Sequence, residues 1–188
     1  MLTALLCALL ASDVAPGDSS CGLARTNEPA LRALAAAATP DQLEAARRAW
    51  VRDDPIVRLF FASRLAVLSP GLVADNTLID SLPTREQDVA LMYTFTYGCT
   101  APESIVLFGG GAWIQQARDA VIRQGTGVRA FLMLSWLYRS NADIGEFLPE
   151  DTDAIRRARP KQYSRALKNL PADARAIILG GRELLPRQ

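Results

Sequence analysis

The stretch PIVRLFFASRLAVLSPG, residues 55–71, decides the fold. Ile56, Val57, Phe60, Phe61, Leu65 and Leu68 fall on one broad face when the chain is wound as a helix. Asp53, Asp54 and Pro55 restart the chain before it, and Ser69-Pro70-Gly71 stops it. Such a helix cannot bury its apolar face alone, so its neighbours must supply matching faces.

Working outward, the same pattern repeats. Toward the N-terminus, Asn27 can cap a helix over 29–38, with Pro29 tolerated in its first turn. Thr39-Pro40 predicts a second start that runs to near Val51. Toward the C-terminus, 72–82 predicts a short helix, and Thr84 with Gln87 has the spacing of a capping box. YTFTYGC, residues 93–99, is rich in strand-favouring types, but its alternation is not clean and helix is preferred. ESIVLF leads to Gly109-Gly110-Gly111. AWIQQARDAVIRQ then places Trp113, Ala117, Ala120 and Val121 on one stripe. Gly125 and Gly127 break the pattern before VRAFLMLSWLYR. Residues 140–149 read as a loop, a helix starts at Asp151 or Thr152, Pro160 breaks it, and Pro171-Ala172-Asp173 opens the last helix.

The fold class is therefore all-α: a compact multi-helix bundle, with irregular HEAT-like helical repeats as an alternative arrangement. The repeat signal is the recurrence of Val57-Arg58-Leu59-Phe60, Val128-Arg129-Ala130-Phe131 and Ala174-Arg175, each following a turn. The chain has 188 residues, which suits one helical domain over 21–188.

The N-terminal residues 1–20 read as either a signal peptide or an N-terminal helix. Leu2 to Ala11 is apolar and is followed by polar and turn-forming residues, as in a secretory leader, but no Lys or Arg precedes the run. Ten residues are too few to span a bilayer about 30 Å thick. Loss of the leader would remove Cys7 and leave Cys21 and Cys99, an even pair that predicts a disulfide in an oxidising compartment. The expected location is periplasmic or secreted, with the cytoplasm as the alternative.

Composition narrows the chemistry. The net charge is +1, which makes no global case for nucleic acid. The chain contains no histidine. That removes Ser-His-Asp and Cys-His catalysis and the HExxH zinc site. No cofactor motif is present, and the cysteine spacing makes no structural zinc site.

Two local features read as candidate sites. Gly109, Gly110 and Gly111 precede a helix and can expose backbone N–H groups to a ligand anion, but without the lysine of a phosphate-binding loop. IRRARPKQYSRALKN holds Arg156, Arg157, Arg159, Lys161, Arg165 and Lys168 with no acid, and Tyr163 can stack on a base. This is the best interaction patch, suited to an acidic protein, a nucleic acid or an anionic membrane surface.

The expected function is a non-enzymatic, helical protein-binding or adaptor domain whose partner is another protein. One alternative is a carboxylate-dependent hydrolase such as a glycosidase, which would pair Glu86 or Glu103 with Asp143 or Glu146. The other is a basic helical nucleic-acid-binding protein.

Overall fold

The computed structural model describes residues 32–49, 55–93, 112–139 and 148–183. Within them the chain forms α1 (Pro40–Arg48), α2 (Pro55–Leu68), α3 (Leu72–Asp80), α4 (Glu86–Tyr93), α5 (Ala112–Gln124), α6 (Val128–Leu137), α7 (Leu148–Ala158), α8 (Pro160–Lys168) and α9 (Ala172–Glu183). Residues 32–36 are also helical, and no strand occurs among the described residues. The architecture is a compact all-α bundle.

Local chemistry explains the helix ends. Thr39 is extended and its Oγ1 accepts from the Gln42 N–H at 3.3 Å, while Pro40 occupies the first turn, where no N–H is needed. α5 ends at Gly125, whose φ of 69° is the left-handed conformation that releases a helix at low cost for glycine. α7 starts at Leu148, three or four residues before the start expected at Asp151 or Thr152. Pro149 is accommodated in its first turn, and Thr152 Oγ1 donates to the Pro149 carbonyl at 3.0 Å. Pro160 separates α7 from α8 by a single residue, as a ring without an N–H must.

Helices α5 and α6 organise the packing. α5 lies against α2, α3, α6 and α7, and α6 contacts α7, α8 and α9. α1 and α4 pack on α2. The expected α5 stripe of Trp113, Ala117, Ala120 and Val121 is fully buried. Leu59, Phe60, Phe131, Leu132 and Ile155 join it in one hydrophobic core. Each large side chain so removed from water contributes about 1.5–3 kcal/mol before entropy is counted. The recurrent Val-Arg-x-Phe segments place Val57, Phe60, Val128 and Phe131 in the core and Arg58 and Arg129 in water.

The expectation of a disulfide-bonded protein is corrected. No described residue is a cysteine, so the described bundle is closed by side-chain packing with no covalent cross-link. Cys21, Cys99 and the whole of 1–20 lie outside the described residues. No helix among those described is long and apolar enough to cross a membrane.

Candidate functional site

The basic segment is divided by the α7–α8 junction. At the end of α7, Asp153 neutralises two of its cations: Arg156 donates to its Oδ1 at 2.7 Å, and the Arg157 guanidinium forms an ion pair with its Oδ2 at 3.2 Å. Arg159 turns inward. Its Nε donates to the Ile122 carbonyl at 2.6 Å and its Nη2 to the Arg123 carbonyl at 2.9 Å, so it caps the last turn of α5. Tyr163 is 3 % exposed and belongs to the core between α8 and its neighbours. Its ring presents no stacking surface for a base.

Lys161, Arg165 and Lys168 are brought together. They are exposed and lie at i, i+4 and i+7, one line on the face of α8 opposite buried Tyr163 and Ala166. α8 carries no acidic residue, and no described carboxylate pairs with these three cations. Of the seven interaction residues expected, three therefore form a free cationic line, three are engaged and one is core.

The carboxylates serve other ends. Glu86 pairs with Arg139. Asp151 is buried and accepts from Arg118 at 2.7 Å, and Arg118 is shared with Asp119. Burial pushes the Asp151 carboxyl above its ordinary value, because half of one guanidinium offsets only part of the lost hydration. Glu103, Asp143, Glu146 and the three glycines Gly109, Gly110 and Gly111 lie outside the described residues. No group of three potential metal ligands occurs among the described residues.

A second feature was not anticipated. The α2–α3 elbow and α5 enclose an open cleft of about 500 Å³, walled by Ala66, Pro70 and Leu72 on one side and by Gln116, Asp119 and Arg123 on the other. Beside it, Asp75 is 1 % exposed and takes three hydrogen bonds: Arg123 Nε at 3.0 Å, Arg123 Nη2 at 2.6 Å and Gln124 Nε2 at 2.7 Å. The Arg123 hydrogen bonds hold its carboxyl below the usual carboxylate range, against the opposing effect of burial. One sequence cue did exist: Asp75 sits on the same helical face as Leu78 and Ile79, and a charge on an apolar face calls for a partner. The identity of that partner, 48 residues away, is not legible locally.

The described fold and its surfaces define a strand-free helical bundle with no catalytic constellation among the described residues. No known protein family matches the chain, and neither does any curated protein or solved structure.

Proposed function

We propose that this chain is a non-enzymatic protein-binding module whose partner lays an acidic segment along the solvent face of α8. The observation that carries this reading is the line of Lys161, Arg165 and Lys168, exposed and without an opposing described carboxylate. Long cationic side chains at helical spacing suit an acidic helix or strand, whose charges recur at comparable distances. Burial of Tyr163 weighs against nucleic acid, because only phosphate contacts would remain. HEAT-like stacking of helix pairs belongs to the same reading; it is supported by the shared inward placement of Val57, Phe60, Val128 and Phe131.

The test is fluorescence anisotropy with a labelled Glu-rich peptide and, in parallel, a single-stranded oligonucleotide of matched charge. The peptide should bind at low salt and weaken as the Debye length shrinks to about 8 Å at physiological ionic strength. Three exposed ion pairs at about 0.2–1 kcal/mol each predict that Lys161→Glu/Arg165→Glu/Lys168→Glu weakens binding by roughly 3- to 150-fold. Unchanged affinity in that variant, or preference for the oligonucleotide, would defeat the reading.

A further inference from the structure

We propose that the cleft between the α2–α3 elbow and α5 binds the free amino terminus of a partner protein whose first side chain is aliphatic. Gln116, Asp119 and Arg123 stand at i, i+3 and i+7, so they share one face of α5 and span about 10 Å along its axis. Each has an uncommitted polar atom. The Gln116 Oε1 is buried and accepts no hydrogen bond. Asp119 spends Oδ1 on the Arg118 Nε at 2.8 Å and keeps Oδ2. Arg123 spends Nε and Nη2 on Asp75 and keeps Nη1, and its side chain is 55 % exposed.

The order along the helix is acceptor, acceptor, donor. An ammonium has three donors and can serve both oxygens, once the Gln116 amide turns about its soft terminal torsion. The carbonyl that follows it in a peptide then meets Arg123. An internal lysine offers the ammonium without that adjacent carbonyl. Charge points the same way: in the connected set of ion pairs, Asp75, Asp119 and Asp151 outnumber Arg118 and Arg123 by one. Asp75 itself is saturated and acts by holding Arg123 in place.

The opposite wall selects the side chain. Ala66 and Pro70 are apolar, and Leu72 lies 62 % exposed with Val73 beyond it at 74 %. An aliphatic first residue would cover Leu72. Because the cleft is open to solvent, it cannot enclose most of a small molecule, whereas a protein terminus brings its own flanking cover.

The test is an NMR titration of the ¹⁵N-labelled full chain with the peptide amide Leu-Ala-Ala-Ala, its N-acetyl form, and an acetylated form carrying an internal lysine. Saturable shifts are expected at 71–73 and 116–124. Acetylation should weaken binding at least roughly tenfold, since it removes a charge-assisted hydrogen bond. Replacing the leading Leu by Ser, or Asp119→Asn in the protein, should weaken it also. Equal binding of the acetylated peptides, or shifts confined to α8, would overturn the proposal, as would no saturable shift with the free peptide. The acetylation comparison uses the unaltered protein, so it decides the matter even if the variant fails to fold. Loss of acidic-peptide binding at α8 would leave this result unaffected.

Discussion

Gly127→Ala tests the packing of α3 against the α5–α6 turn. Gly127 opens α6 with φ at 72°, and a Cβ built there would stand 2.4 Å from Ile79 Cγ2. Two costs follow. A residue with a Cβ in the left-handed region loses about 1–2 kcal/mol. Displacing a core side chain to relieve the overlap costs about 1–3 kcal/mol more. The expected loss is about 2–5 kcal/mol, a large part of the roughly 5–15 kcal/mol that holds a domain together. Urea unfolding followed by far-ultraviolet circular dichroism measures it. Repeating the substitution in an Ile79→Ala background separates the two terms. Ile79→Ala alone should cost about 2–5 kcal/mol, because Ile79 is nearly buried. On that background Gly127→Ala should cost only the conformational part, about 1–2 kcal/mol. A loss below about 1 kcal/mol in the parent, or an equal loss in both backgrounds, would show that Ile79 does not press on Gly127.

Three further outcomes are expected. Asp75→Asn should cost about 2–3 kcal/mol at neutral pH, since Arg123 and Gln124 lose a buried charged acceptor. Arg123 lowers the folded-state pKa of Asp75, so its contribution is present above the unfolded value near 3.9 and is lost as pH falls through the folded value; the variant's acid limb in urea titrations should be flatter. Asp151 has the opposite sign: burial raises its folded pKa, so stability falls as pH rises from the unfolded value through the raised one, and Asp151→Asn should gain on the parent across that window in the same assay. Arg159→Ala should cost about 1 kcal/mol by uncapping α5, and hydrogen exchange should show faster exchange in the last turn of that helix.

The helical class was legible because it rests on local rules. The three- and four-residue spacing of Phe60 and Val121 with their neighbours, the Thr39-Pro40 start and the stop at Gly125 each act within a few residues. The start of α7 was misplaced because Pro149 marks a loop in one context and a first turn in another, and only the surrounding packing of Leu148 chooses. The basic run shows the limits of composition. Seven residues spread over 156–168 look like one patch in sequence, yet helical geometry sends Tyr163 to the core. Arg159 goes to the carbonyls of another helix, and Asp153 was available to Arg156 and Arg157 only because α7 continues upstream.

The amino-acid sequence by itself determined that this chain would coil into short amphipathic helices and that Lys161, Arg165 and Lys168 would share a solvent face, since both follow from a repeat of 3.6 residues. Tertiary structure alone decided that Asp75 meets Arg123, that Gly127 rests on Ile79 and that a cleft opens between the α2–α3 elbow and α5. These are meetings between segments dozens of residues apart, and their energies depend on how whole helices pack rather than on any neighbour along the chain.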